Sequence, residues 1–449
     1  MRSRRPARAA RRPTTEVDGP GAATDLVSTM AEPDDDGTGR IAEWLASPDE
    51  ATRLRAVAAL GAAESLGSAR TLVGALRDRS WRVRREAVDA LARHAPPDVV
   101  EALVDVMRTE HHDLGLLNGA LAVLRALDVD TVPSLAGLLD EDDVDLRVQA
   151  ALALGEQGDR RAVAPLLRAL DDADANVRYQ AIESLGRLGA TEAAGPLAAV
   201  AASGDFFLAF AAVDALGAIG DPAVAPALVS LLDDELLCGP AAEALGQLGD
   251  ARVAGALVDA LNSGHAPAGV VGRALAALEG RVEAEEGGVA TAVCRGVDEA
   301  GLRRLLAAAG DAGDDELRPL ARVLGWLEGD AVELVLAGLL GRPGASDEAV
   351  EALARRGRRV TGLLVERLGA DDLEARRAAA TALGLVGDSA AAPALAAALL
   401  EGPELATAAC GALASIGGDQ ALDSLLGLLG HNAAAVRQAA EHAVRSLGH

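Results

Sequence analysis

The chain has 449 residues and a formal net charge of −26, with 68 acidic residues against 42 basic ones, all of which are arginine. This balance argues against general binding to nucleic acid or an anionic membrane, since both depend on clustered Lys and Arg. Without lysine the chain cannot form a P-loop, a Schiff base, a pyridoxal anchor or a kinase ion pair. Half of the residues are hydrophobic but only 2% are aromatic, which favours stacked Ala- and Leu-rich helices over sheets.

The N-terminal 40 residues differ from the rest. Six arginines lie in "MRSRRPARAARRP", and no apolar stretch of the kind found in a secretory signal follows them. We expect residues 1–40 to be a disordered tail, first Arg-rich and then acidic, as in "AEPDDDGTGR" (31–40). An organelle transit peptide or a basic arm is one alternative, and a true start at Met30 is the one we favour.

From residue 41 onward the sequence repeats itself with a period of about 31 residues. A leucine at the end of an Ala-rich stripe marks each unit, the period weakens around Leu275, and the last marker is Val444. The other markers are Leu60, Leu91, Leu124, Leu154, Leu185, Leu216, Leu245, Leu324, Leu353, Leu383 and Leu413. Self-similarity at this period is typical of a solenoid built from small supersecondary units.

Each unit predicts two antiparallel helices, and residues 143–172 show the pattern most clearly. One helical stripe comprises Leu146, Ala150, Ala151 and Leu154. Gly155 and Gly158 follow and are expected to end this helix, and Asp159 stands where an N-cap belongs. A second stripe comprises Val163, Leu166, Leu167 and Leu170. Neither helix can bury its apolar face alone, so neighbouring units must stack.

The unit pattern, V/L-R-x-x-A-A-x-x-L-G-x-x-G-D followed by A-V-x-P-L-L-x-A-L, resembles HEAT-like repeats of the bilin-lyase (PBS lyase) type. The resemblance covers residues 41–280 and 316–449 and implies an all-α solenoid of about 13 antiparallel helix pairs. Between these two arrays, residues 281–315 lose the register, and we expect an irregular or degenerate repeat there.

The resemblance leaves the function open, because repeats of this type serve scaffolds, bilin lyases, an iron hydroxylase and unusual DNA glycosylases. The hydroxylases bind iron through His-Glu pairs, and this chain has no His-Glu dipeptide. A glycosylase would need a basic cleft, which the net charge disfavours. Bilin attachment has no short motif to search for, so a bilin lyase or chaperone-lyase remains the main alternative, with a metal hydroxylase behind it.

A ladder of arginines occupies one repeat position, seven residues before the marker. Its members are Arg53, Arg84, Arg147, Arg178, Arg376 and Arg437. We expect them to pair with acids of the inter-repeat turns; a ligand-binding ladder is the alternative. The acid clusters at 33–39 and 140–145 lack calcium-loop spacing and predict solvated turns and helix N-termini.

Aromatic residues cluster in "DFFLAF" (205–210), where all three phenylalanines, Phe206, Phe207 and Phe210, lie together. Tyr179 lies 31 residues before Phe210, so the two occupy equivalent repeat positions. If exposed, these residues would form a partner-binding patch; the alternative is that their rings fill a gap between helices.

The remaining reactive residues predict no catalytic or metal site. The histidines are scattered apart from "EHHD" (110–113), and Cys238, Cys294 and Cys410 lie too far apart for a paired-Cys site. We therefore expect a non-enzymatic cytoplasmic scaffold that binds proteins and needs no cofactor. The resemblance to HEAT-like repeats of the bilin-lyase type implies prokaryotic signalling, taxis or complex assembly as its setting. Its acidity is compatible with a halophilic host.

Overall fold

The computed structural model describes residues 36–62, 66–93, 98–110, 112–127, 130–282, 288–399 and 402–447. Of the tail expected at 1–40, residues 1–35 lie outside the described residues. Residues 36–40 are helical, because they begin a helix that extends from Asp36 to Leu45, so the expectation of disorder is wrong there. Within them the secondary structure is helical throughout, with 27 α-helices, short 3₁₀ turns and no strand, so the predicted all-α class is confirmed. The chain divides into two compact units, Met1–Ser184 and Leu185–His449.

Unit 1 contains nine helices and most of a tenth. They are α1 (Asp36–Leu45), α2 (Glu50–Ala62), α3 (Leu66–Ala75), α4 (Trp81–Arg93), α5 (Asp98–Thr109), α6 (Leu114–Ala126), α7 (Val132–Leu138), α8 (Val144–Glu156), α9 (Val163–Ala169) and α10 (Ala175–Arg187). First helices α2, α4, α6 and α8 pack successively against one another, and second helices α3, α5 and α7 do the same. Such successive packing of helix pairs is the stacking of an α-solenoid.

Unit 2 by itself is also built from stacked helices, 17 in number. They are α11 (Ala194–Ala201), α12 (Phe206–Ile219), α13 (Ala225–Ser230), α14 (Cys238–Gln247), α15 (Ala254–Ser263), α16 (Ala268–Glu279), α17 (Gly288–Gly296), α18 (Glu299–Asp311), α19 (Asp314–Trp326), α20 (Asp330–Gly338), α21 (Ser346–Arg355), α22 (Thr361–Arg367), α23 (Leu373–Val386), α24 (Ala392–Ala398), α25 (Pro403–Ile416), α26 (Asp419–Gly427) and α27 (Ala434–Leu447).

The marker leucines form the core of both units. Every one of them lies in a first helix and is at most 4% exposed, whereas Val444 in the terminal helix α27 is half-buried. Burial of a leucine side chain contributes about 2 kcal/mol. Each repeat, about 31 residues long, therefore contributes one leucine side chain to the core of the unit to which it belongs.

The glycine that follows the marker is not a helix terminator, which corrects the expectation for Gly155. Helix α8 continues through Gly155 to Glu156, and the chain leaves the helix at Gly158, whose φ is +71°. A Cβ added to Gly155 would lie 2.9 Å from the Cα of Ser184, one repeat later. Gly155 is thus required because neighbouring first helices approach closely, and Gly158 because the turn needs a left-handed residue.

The register break at 281–315 corresponds to an additional helix. First helix α16 packs against first helix α19, and both α17 and α18 lie between them in sequence and pack against α15. Arg304 of α18 donates hydrogen bonds to the carbonyls of Leu261 (3.3 Å) and Asn262 (2.6 Å) at the end of α15. These bonds satisfy carbonyls that a helix end leaves without partners.

Candidate functional site

The three phenylalanines form an exposed aromatic patch at the start of α12. The Asp205 carboxylate caps this helix, accepting a hydrogen bond from the backbone N–H of Leu208 (3.4 Å). Phe206, Phe207 and Phe210 are 49%, 52% and 49% exposed. Because residues four apart share a helix face, Phe206 and Phe210 adjoin, with ring centroids 6.3 Å apart and planes tilted by 59°. The interpretation of these rings as gap fillers is wrong.

The buried stripe of α12 explains this exposure. Leu208, Ala212 and Leu216 face the core and are at most 5% exposed. These residues stand eight, four and zero residues before the marker. In α8 the same three positions are taken by Leu146, Ala150 and Leu154. The phenylalanines stand ten, nine and six residues before the marker, on the opposite face of the helix.

The next repeat of unit 2 also has an exposed apolar residue at an equivalent position. Leu236 stands nine residues before its marker, as Phe207 does, and is 63% exposed. Helix α14, which follows Leu236, packs against α12. At the position equivalent to Phe210 the next repeat has Gly239, around whose Cβ position there is open space. We call Phe206, Phe207 and Phe210 the aromatic patch.

Tyr179, the fourth predicted partner-binding residue, lies on α10 in unit 1. It is half-buried, and its hydroxyl donates a hydrogen bond to the carboxylate of Glu183 (3.0 Å). The expectation that Tyr179 and Phe210 adjoin stays a prediction.

The arginine ladder binds the turns between repeats. Arg147 donates from Nε and NH2 to the two carboxylate oxygens of Asp172 (2.8 and 3.0 Å) and from NH1 to the carbonyls of Glu141 and Asp142. This hydrogen bonding raises the pKa of the Arg147 guanidinium. Burial raises the pKa of Asp172, but the hydrogen bonds from Arg147 and from the backbone of Asp174 outweigh burial, so its pKa is lowered overall.

The same geometry recurs along the chain. Arg53 pairs with both oxygens of Asp78 (2.8 and 3.1 Å) and with the carbonyls of Ser47 and Pro48. In each case the carboxylate lies 25 residues after the arginine, in the turn of the following repeat. These guanidiniums connect successive turns, and their donors are occupied by protein oxygens.

Three other ladder members keep the carbonyl contacts. Arg84, Arg178 and Arg437 donate to the carbonyl six residues earlier, at 2.7, 2.8 and 2.6 Å respectively. Arg376 is half-buried on α23. A guanidinium that satisfies turn carbonyls stabilises the preceding turn even where no carboxylate follows.

The clusters weighed as metal sites are structural in the described part of the chain. Asp143 caps α8 by accepting from the backbone N–H of Leu146 (2.9 Å), and His112 is exposed in a turn. His111 and residues 33–35 lie outside the described residues. Among the described residues no three His, Cys, Asp or Glu side chains converge as a metal-binding group.

Sequence reasoning missed one surface feature, an exposed tryptophan beside exposed arginines in unit 1. Trp81 is 63% exposed and stands ten residues before its marker, the position of Phe206. Arg82 and Arg85 take the positions of Phe207 and Phe210. Comparing side chains at these outward positions across repeats would have revealed it.

The fold defines an α-solenoid of stacked helix pairs with a partly apolar surface. Residues 38–125, 131–209 and 165–237 match the family model described as HEAT repeats, and residues 241–263 and 375–401 match the PBS lyase HEAT-like repeat. The chain belongs to the HEAT-repeat proteins, with repeats of the PBS-lyase type, and the predicted resemblance is confirmed.

A solved structure of low sequence identity supports the fold. A chain of a Kap95:Nup1 complex is 13% identical with a TM-score of 0.50, covering 94% of this chain and 68% of its own length. A chain from a structure of Kap95p bound to RanGDP is 10% identical with a TM-score of 0.44, covering 95% of this chain and 60% of its own. None of the curated proteins compared matches the chain. No helix among the described residues is long and apolar enough to cross a membrane.

Proposed function

We propose that this protein is a non-enzymatic scaffold that binds a partner protein on the aromatic patch of unit 2. The observation that carries the proposal is the exposure of all three phenylalanines of the chain on one helix end. Phenylalanine is rarely left in water in groups, and exposed apolar groups of this kind mark protein interaction sites. Aromatic side chains also supply much of the binding energy at interfaces.

The repeat architecture suits this role, because a stack of helix pairs presents an extended surface on which a partner can contact several repeats. Signalling, taxis or the assembly of a complex in the cytoplasm are the settings we propose. Tyr179 is proposed as a further contact, from its equivalent repeat position.

The proposal is tested by affinity purification from the native host with mass spectrometry. The full chain is compared with a Phe206→Ser/Phe207→Ser/Phe210→Ser variant and with a Leu385→Ser control, since Leu385 is 60% exposed on α23 but stands apart from aromatic residues in sequence. A stoichiometric partner retained by the control and lost by the patch variant supports the proposal. Equal recovery by both variants contradicts it.

The same experiment distinguishes a bilin lyase from a protein-binding scaffold. A lyase should co-purify with tetrapyrrole absorbance that persists in the patch variant, whereas a scaffold should give a colourless eluate with a protein partner.

A further inference from the structure

We propose that unit 1 carries a second binding site, a groove between first helices α2 and α4 that takes an acidic peptide segment with an apolar anchor. Helices α2 and α4 pack against each other and leave a groove of about 480 Å³. Its lining comprises Leu54, Arg55, Ala58, Trp81, Arg82, Arg85, Glu86 and Asp89.

The apolar part of the groove can hold a side chain. Trp81 begins α4 and is 63% exposed, beside Leu54 and Ala58 of α2. An exposed indole beside apolar side chains is the kind of residue that anchors a partner at the centre of a protein interface. This site uses neither the phenylalanines nor any residue of unit 2. A failure of binding at the aromatic patch would therefore leave this second proposal unaffected.

Three guanidinium groups of the groove are available for carboxylates. Among the described residues, Arg55 makes no hydrogen bond or ion pair. Arg82 reaches Glu50 at 3.2 Å and Arg85 reaches Asp89 at 3.9 Å, and both arginine side chains are more than 60% exposed. Exposed pairs at such distances contribute little, so exchanging them for a partner's carboxylates costs little. Ladder arginines Arg53 and Arg84, by contrast, are held by turn oxygens.

Local charge favours an anionic ligand. From Glu50, the first residue of α2, to Arg93, the last of α4, the chain contains nine arginines and five acids, a net charge of +4 in a chain whose total is −26. A local excess of positive charge in an acidic chain favours the approach of an acidic segment to this part of the surface. Glu86 and Asp89 line the same groove and would repel a continuous row of phosphates. A peptide with spaced carboxylates therefore fits better than a nucleic acid.

The test uses a phage-displayed library of random peptides selected on the full chain at low salt. Selected peptides, synthesised with a fluorescent label, are titrated by anisotropy against the wild type, Arg82→Glu/Arg85→Glu and Trp81→Ala. The matched control is Arg377→Glu, because Arg377 stands six residues before its marker, as Arg85 does, and pairs with Glu374 on the exposed surface of α23. Thermal unfolding checks that each variant remains folded.

We expect the selected peptides to combine Asp or Glu with an apolar residue. Their affinity should fall at least tenfold in Arg82→Glu/Arg85→Glu and in Trp81→Ala, stay unchanged in Arg377→Glu and weaken as salt rises. The proposal is overturned if selected peptides are not acidic, or if they bind the groove variants as tightly as the wild type. Displacement of the peptides by a single-stranded oligonucleotide that itself binds more tightly would overturn it in favour of nucleic acid.

Discussion

Arg147 and Asp172 form a two-point ion pair that connects the turn before α8 with the turn after α9, one repeat later. Their side chains are only 13% and 12% exposed, and NH1 of the same guanidinium holds the turn carbonyls of Glu141 and Asp142. One side chain thus fixes the geometry of two successive turns.

Removing this guanidinium should destabilise unit 1. We expect Arg147→Ala to lower the free energy of unfolding by about 2 kcal/mol, because Asp172 and two carbonyls lose their donors in a largely buried place. Urea unfolding followed by circular dichroism measures the change. The control is Arg161→Ala, whose side chain is 60% exposed and pairs with Asp130 and Asp159 on the surface. An equal loss in both variants would contradict the structural role of the ladder.

Acid should remove the contribution of Asp172. Because its pKa in the folded chain lies below the ordinary value of 3.8, the pair stabilises the fold above pH 3.8 and loses this effect as the pH falls through the lowered pKa. The difference in urea midpoint between wild type and Asp172→Asn should be largest near neutral pH and shrink below pH 3.8. A difference independent of pH would show that the charge of Asp172 is not what stabilises the turn.

Close helix approach predicts opposite effects for two glycine substitutions. Gly155→Ala should destabilise by about 1–3 kcal/mol, since the new Cβ would lie 2.9 Å from the Cα of Ser184 and the helices must separate. Gly411→Ala, within α25 and with open space around its Cβ position, should stabilise by about 0.5–1 kcal/mol because alanine favours helix. Thermal unfolding of both variants gives the sign of each change in stability. A stabilising Gly155→Ala would contradict the close approach of α8 and α10.

The repeat period and the first helices were predictable, whereas the role of particular residues was not. Burial of one leucine per unit is the strongest periodic signal, so Leu60 to Leu413 located the first helices. Glycine signals both a helix end and a close approach, and the sequence did not distinguish Gly155 from Gly158. The extra helix α18 repeats no earlier pattern. The exposure of Phe206 could have been predicted from its position ten residues before Leu216. The hydrogen-bond partners of Arg147, by contrast, could be identified only in the structure.

Thiol reactivity tests burial in unit 2. Cys294 is exposed, whereas Cys238 and Cys410 are buried. Burial raises the pKa of the Cys410 thiol to about 11, and the thiolate is the reactive form. Alkylation of the folded chain with iodoacetamide, followed by mass spectrometry, should modify Cys294 first and Cys410 only after addition of urea. Equal rates at Cys294 and Cys410 without urea would mean that α25 is not packed as described.

The central claim, that a partner protein binds the aromatic patch, is tested most directly by photo-crosslinking in the native host. A benzophenone amino acid replaces Phe207 in one strain and Leu385 in another, since both positions are exposed and lie on first helices of unit 2. We predict a discrete adduct with one protein from position 207 and none from position 385. The same adducts from both positions, or no adduct from position 207, would contradict binding at the patch.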